Sequence, residues 1–364
     1  MNDVPWAHTA LPVPPAPLMP VIWRGRGSIF LLLLKNLLLN IVTLGFYRFW
    51  ARTRLRRYLW SNIELLGDPF TYTGTGMELF KGFLRALVVI VPLGAISVGI
   101  GLIPDVVLQV AIRVLFFISI FFLIFVAIYS ARRYRLSRST WRGVRFGLDG
   151  KATAYAVRMM GWSLLTFVTL GFANPWVAVA QQKYITERTL FGDRRFSFDG
   201  RGRDLFKSWL LVYATLGLGI YWYAVKQFRY MTDHTSIGDA RFGSALRFWP
   251  IFGRVVLYLL TLMATFLIPL AVVAWVVLQA VGGIENLDQI QSLLEGNEQF
   301  VAAMAPFLPI MTALWILVVS QLLIWPMVYI PVLRQFCTTM SISNAASLAS
   351  IAQSAQVMPA TGEG

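Results

Sequence analysis

The sequence predicts an all-α polytopic membrane protein with short cytoplasmic β-hairpins, built from about five repeated strand–helix-pair units. Three observations predict it. Hydrophobic residues make up 57% of the chain and charged residues only 13%, against ~25% charged in an ordinary soluble domain, so much of the apolar surface must face lipid. Apolar stretches of membrane-spanning length occur in pairs. A tyrosine–aromatic–glycine spacing recurs along the chain with a turn signal inside it.

Residues 83–103 and 106–129 form the first long pair, joined at Pro104-Asp105. Each reaches about 20 residues, which spans ~30 Å of hydrocarbon at ~1.5 Å per residue. Residues 255–281 and about 301–330 form the second. Their connector carries Glu285, Asp288, Glu295 and Glu298, and no Lys or Arg lies between Arg254 and Arg334. The positive-inside rule then puts the acidic 281–300 loop outside a bacterial-type inner membrane. The basic hairpins and both termini fall on the cytoplasmic side.

The repeat is carried by Tyr58, Phe70 and Gly74, by Tyr134, Phe146 and Gly150, and by Tyr184, Phe196 and Gly200. A further copy, Tyr230 and Phe242, has Leu246 at the glycine position. Basic residues precede each tyrosine: Arg56 and Arg57, Arg132 and Arg133, Lys183, Arg229. Between tyrosine and aromatic lies Gly67-Asp68, Gly143, Gly192-Asp193 or Gly238-Asp239, a hairpin signal because glycine tolerates positive φ. Phe70-Thr-Tyr72-Thr-Gly74 and Phe196-Ser-Phe198-Asp-Gly200 alternate as half-buried strands do. Val21-Ile-Trp23-Arg-Gly25 resembles the strand half alone, and Gln335-Phe336 a degenerate tyrosine side. The resulting division is a Pro-rich tail at 1–20, one membrane domain at 21–340 and a flexible tail at 341–364. Repeat boundaries fall at 21–69, 70–145, 146–195, 196–241 and 242–340.

The remaining helix pairs are short and broken at Thr43-Leu44-Gly45, Thr169-Leu170-Gly171 and Thr215-Leu216-Gly217. Their arms suit either re-entrant or tilted hairpins packed on the long helices, or short spans with local thinning. The arm from Phe46 to Arg57 is a basic amphipathic helix suited to an interface.

Lys and Arg number 32 against 17 Asp and Glu, a net charge of +15. The basic residues flank apolar segments rather than forming a separate domain, which points to anionic lipid headgroups and away from nucleic acid. Arg48, Arg52, Arg54, Arg56, Arg57, Arg132 and Arg133 form the candidate headgroup-binding rim on the cytoplasmic face.

The stretch Thr43-Leu-Gly-Phe-Tyr47-Arg-Phe-Trp50-Ala-Arg52-Thr-Arg54-Leu-Arg56-Arg57-Tyr58 is followed by Gly67-Asp68-Pro-Phe70-Thr-Tyr72-Thr-Gly74-Thr-Gly76-Met-Glu78-Leu79-Phe80-Lys81-Gly82-Phe83-Leu84. It resembles the YjgN family of bacterial inner-membrane proteins, grouped as a domain of unknown function. The likeness covers nearly the whole chain apart from its tails. It implies a polytopic inner-membrane protein and brings no catalytic residues to carry over.

No nucleotide-binding, zincin, serine-hydrolase or CxxC motif is present, so no enzyme and no cofactor is expected. The lone Cys337 forms no intrachain disulfide, and His8 and His234 make no metal cluster. Asp149 and Asp199 are candidates for a general acid or base but are expected instead to help cap the helices that follow, with Glu78 and Asp204 favouring the positive ends of their helix dipoles. Lys35, Asn36 and Asn40 interrupt the first apolar helix, and Arg113 lies two turns from the outer end of another. These four are the candidate intramembrane polar site, either a substrate path or snorkelling and interhelical hydrogen bonding. The functional expectation is non-enzymatic handling, transport or sensing of a lipid or small molecule. The alternative is a scaffold or assembly factor that docks a cytoplasmic protein partner through its hairpins.

Overall fold

The computed structural model describes residues 19–25, 28–280 and 307–353. The expected 1–18 portion of the N-terminal tail and the acidic 281–300 loop lie outside the described residues. The chain divides into two compact units. A sheet unit comprises Met1–Gly25, Phe49–Leu246 and Phe336–Gly364, and a helical unit comprises Arg26–Arg48 and Arg247–Gln335.

The all-α polytopic expectation is overturned. The hairpins join into one antiparallel sheet of eleven strands, and among the described residues only three helices are long and apolar enough to cross a membrane. Four hairpins supply eight strands: β3 (Ile63–Leu65) with β4 (Asp68–Tyr72), β5 (Ser139–Trp141) with β6 (Val144–Leu148), β7 (Thr189–Phe191) with β8 (Arg194–Phe198), and β9 (Thr235–Ile237) with β10 (Ala240–Ser244). A strand near the N-terminus is split at Val21 into β1 (Met19–Pro20) and β2 (Ile22–Trp23), and β11 spans Met340–Ser343.

The joining follows from how each long strand divides its hydrogen bonds. Asp68 and Pro69 of β4 pair with β3, whereas Phe70, Thr71 and Tyr72 pair with β5 of the next hairpin. The same division holds in β6 and β8, and in β10 Arg241 pairs with both neighbours. The split strand then closes the sheet. Met19 and Pro20 pair with Ile342 and Ser341 of β11, while Ile22 and Trp23 pair with Glu64 and Ile63 of β3. With only Val21 between the two halves, the strand order from β1 through β11 to β3 and β2 returns to its start. The fifth hairpin is therefore assembled from the two ends of the domain.

The hairpin turns have two chemistries. Leu66-Gly67 and Arg142-Gly143 carry positive φ at both central residues, while Gly192-Asp193 and Gly238-Asp239 carry it only at the glycine. The first hairpin thus turns one residue earlier than Gly67-Asp68 suggests, and Asp68 opens β4. Directly paired residues share a sheet face. Phe70 faces Trp141, Phe146 faces Phe191, Phe196 faces Ile237 and Phe242 faces Ile342, which makes an apolar row along one face.

Three helices provide the spanning lengths: α3 (Gly76–Gly101), α4 (Val106–Ser137) and α9 (Phe248–Ala280), the last over Phe248–Leu267. The shorter helices are α1 (Ile29–Val42), α2 (Arg48–Ser61), α5 (Ala152–Val168), α6 (Asn174–Thr186), α7 (Gly202–Ala214) and α8 (Ile220–Asp233). The expected 301–330 stretch begins outside the described residues. Its described part is α10 (Phe307–Ile324) and a π-helical turn, Trp325–Tyr329, before α11 (Ile330–Thr339).

The Thr-Leu-Gly breaks are one device used three times. Leu44 and Gly45, Leu170 and Gly171, and Leu216 and Gly217 all adopt positive φ, which ends each helix. The glycine N–H reaches the carbonyl five residues back at 2.7 Å in each case. The threonine hydroxyl joins the arms. Thr43 Oγ1 donates to the Leu39 carbonyl at 2.7 Å and accepts from the Tyr47 N–H at 2.9 Å, and Thr169 and Thr215 repeat both bonds.

The segment expected as a tail from 341 instead supplies β11 and a 3-10 turn, Ala345–Ser350. Beyond it the Asp193 N–H donates to the Ala352 carbonyl at 3.1 Å, and the Arg145 N–H to Gln353 Oε1 at 2.8 Å.

Candidate functional site

Several helix pairs return to the sheet through recurring contacts. The arginine before a repeat tyrosine reaches the strand-to-helix corner that follows its own hairpin. Arg57 donates to the Gly74 carbonyl at 2.9 Å, Arg133 to the carbonyls of Leu148 and Gly150, and Arg229 to the Ser244 carbonyl at 3.2 Å. The tyrosine reaches the helix beyond the preceding corner. Tyr134 donates to Glu78 Oε2 at 2.7 Å and Tyr230 to Asp204 Oδ2 at 2.6 Å. Burial, reinforced by the Asp204 carboxylate, pushes the Tyr230 phenol up to about 12.

A cavity of about 530 Å³ lies in the sheet unit. Its apolar wall is Phe196 and Phe242 of the aromatic row, stacked at 6.0 Å, Phe228 and Phe336 in edge contact at 5.2 Å, and the methionines Met231 and Met340. Its polar groups are Gln182, Gln227, Thr232 and Thr235, all uncharged. The volume falls within the ~300–1,000 Å³ of pockets that take small organic ligands. Met231 also belongs to a buried cluster with Val179, Phe198, Leu205, Val212 and Tyr223. Among the described residues the Tyr223 hydroxyl has no hydrogen-bond partner.

Pairing distant in sequence assembles this cavity, so the order of residues along the chain does not reveal it. One signal was present. The repeat tyrosine stands five residues before its short strand in all four hairpins, and the same count back from Met340 reaches Gln335. That register puts Phe336 at the place of Met231.

The predicted intramembrane residues divide. Lys35 is exposed on α1, Asn36 is buried and Asn40 is half-buried one turn further on. Neither asparagine Oδ1 has a hydrogen-bond partner among the described residues. Arg113 is exposed on α4, which belongs to the sheet unit. Within the predicted basic rim, Arg57 and Arg133 hold corner carbonyls and Arg56 donates to the Tyr72 hydroxyl at 2.9 Å. Arg132 is half-buried, and Arg48, Arg52 and Arg54 are exposed on α2.

The aspartate capping expectation is not met. No side chain caps α5 or α7. Asp149 accepts from the Gly150 N–H at 2.6 Å and pairs with Arg195 at 2.8 Å, and these contacts hold its carboxyl below the usual range. Among the described residues no three His, Cys, Asp or Glu are grouped to hold a metal ion.

Apolar helices of spanning length, together with hairpins joined in one sheet, define an integral membrane protein. The chain belongs to the family described as "Bacterial protein of unknown function (DUF898)", which matches residues 20–364. It is 38% identical over 81 residues to "Inner membrane protein YjgN" of Salmonella typhimurium, covering 22% of this chain and 20% of that relative. It is 41% identical over 64 residues to the protein of the same name from Escherichia coli K12, covering 17% of this chain and 16% of the relative. These matches span a fifth of those relatives' length or less. No solved structure matches the chain. The relatives' names and the three apolar helices agree in making this an inner-membrane protein.

Proposed function

We propose that this protein binds a small uncharged amphiphile from the membrane, for transport or sensing rather than for chemistry. The observation that carries the reading is the composition of the cavity. Four phenylalanines and two methionines offer an apolar wall, and methionine adapts to varied ligand shapes. Two glutamines and two threonines supply donors and acceptors without charge, so the matching head group is a hydroxyl, amide or carbonyl rather than a phosphate.

Anionic headgroups belong elsewhere in this reading, against Arg52 and Arg54 on the exposed side of α2. The hairpins and their arginines face the cytoplasm, as the positive-inside rule favours. Docking of a partner strand has weaker support. A sheet that closes through β1 and β2 presents no long free edge for strand addition.

Native mass spectrometry of the protein released in mild detergent tests the proposal. Wild type should carry an organic ligand in defined stoichiometry, and Ala224→Trp, which fills the cavity from α8, should lose it. Equal occupancy in both proteins, or a bare wild type, would overturn it.

A further inference from the structure

Asn36 and Asn40 stand one helical turn apart on α1, so their side chains share a face. Asn36 is 6% exposed, and both Oδ1 atoms are buried without a hydrogen-bond partner among the described residues. A buried acceptor left unmade costs about 1–3 kcal/mol. Two on one face of one helix call for a shared donor or cation.

The neighbour of α1 in the helical unit is unusual in the same respect. α1 packs on α10 and on the π-helical turn Trp325–Tyr329. Pro326 lies within that turn and Pro331 follows at the start of α11. Proline carries no N–H, so each removes the donor that a carbonyl one turn back would otherwise receive. Interrupted membrane helices use carbonyls of this kind to replace the hydration shell of an alkali ion.

We propose that Asn36 Oδ1 and Asn40 Oδ1, with carbonyls at the proline-interrupted turn, form a site for a dehydrated monovalent cation, Na⁺ or K⁺. The ligand class follows from the donor set. Oxygen-only ligands select hard cations, and neither the two carboxamides nor the turn Trp-Pro-Met-Val-Tyr contributes a carboxylate to offset a divalent charge. Because the two oxygens are buried within a single chain, a second copy of the protein cannot reach them. Lys35 is exposed, with its ammonium free to extend to the interface. The site is independent of the cavity, and either can fail without the other.

The whole chain in nanodiscs is titrated with NaCl or KCl, with choline chloride holding ionic strength constant, and its thermal midpoint is followed. The midpoint should rise saturably in at least one alkali salt relative to choline. Asn36→Leu and Asn40→Leu should each weaken that response roughly tenfold or more, yet match or exceed wild type in choline, since each removes an unsatisfied buried oxygen. Should the leucine variants not fold, Asn36→Asp keeps the oxygens and should strengthen the response. No difference between alkali ions and choline in wild type overturns the proposal. So does an undiminished response in the leucine variants or an unstrengthened one in Asn36→Asp.

Discussion

Tyr230 of α8 gives its hydroxyl hydrogen to Asp204 Oδ2 at 2.6 Å and accepts the Arg201 N–H at 2.6 Å, so one phenol ties the end of a helix pair to its beginning. Tyr134 and Glu78 make the equivalent tie across the much longer pair α3 and α4. Between these two pairs arm length varies while the tie at the sheet stays the same.

Tyr230→Phe should lower stability by about 1–2 kcal/mol, because the tie is charge-assisted but partly exposed. The raised phenol also sets a pH dependence. Its contribution is complete below the ordinary tyrosine value near 10 and is lost as pH rises through about 12. Thermal midpoints between about pH 8 and about pH 12, a range that brackets tyrosine ionisation, should fall more steeply for wild type than for Tyr230→Phe.

Gly76→Ala and Gly202→Ala should each cost about 1–3 kcal/mol, as overpacking does. A Cβ at Gly76 would lie 2.6 Å from Trp50, and one at Gly202 would lie 2.7 Å from Trp176. Gly99→Ala is the control: nothing lies within 4 Å of the added carbon, and it should be neutral or stabilise by up to ~1 kcal/mol. Thermal unfolding of the three variants in one detergent separates the cases.

Asp149→Asn should reduce stability at neutral pH by less than ~1 kcal/mol, since the pair with Arg195 is solvent-screened. The depressed carboxyl contributes above the usual carboxylate range, and that contribution disappears as pH falls through its lowered value. Acidification should thus narrow the gap between wild type and variant. A gap that widens on acidification would show that Asp149 acts in another way.

Cysteines at positions 20 and 341, introduced by Pro20→Cys and Ser341→Cys in a Cys337→Ala background, should form a disulfide on mild oxidation. The two positions are paired directly across the β1–β11 closure. Opposed antiparallel residues stand ~4.5–5.5 Å apart, within disulfide reach. The oxidised chain should run faster than the reduced chain on a denaturing gel, and unchanged mobility would contradict the closure.

The recurring tyrosines, aromatics and glycines were legible because each unit repeats them at fixed spacing. The Gly-Asp turns were legible for the same reason, although Leu66 took the first turn position in β3–β4 and moved Asp68 into the strand. The sheet was not legible. Phe70 pairing with Trp141, or Met19 with Ile342, depends on which strand arrives beside which, and neither pattern nor propensity records that. The asparagines of α1 stood out as polar breaks in an apolar run. Their missing partners became visible only when the chain around them was in place. Asp149 departs from the capping expectation because Arg195, 46 residues away, competes for its carboxylate.

The split fifth hairpin imposes an order on biosynthesis. Strands β2 to β10 can accumulate as the nascent chain emerges, but the seam at Met19 and Pro20 waits for Ser341 and Ile342. A ribosome that stops before residue 340 releases a product with two raw strand edges, the kind of surface that recruits proteases and aggregates. Until the seam is sealed, β1 and β10 each keep an unpaired edge, so the sheet is complete only when both ends of the domain are present.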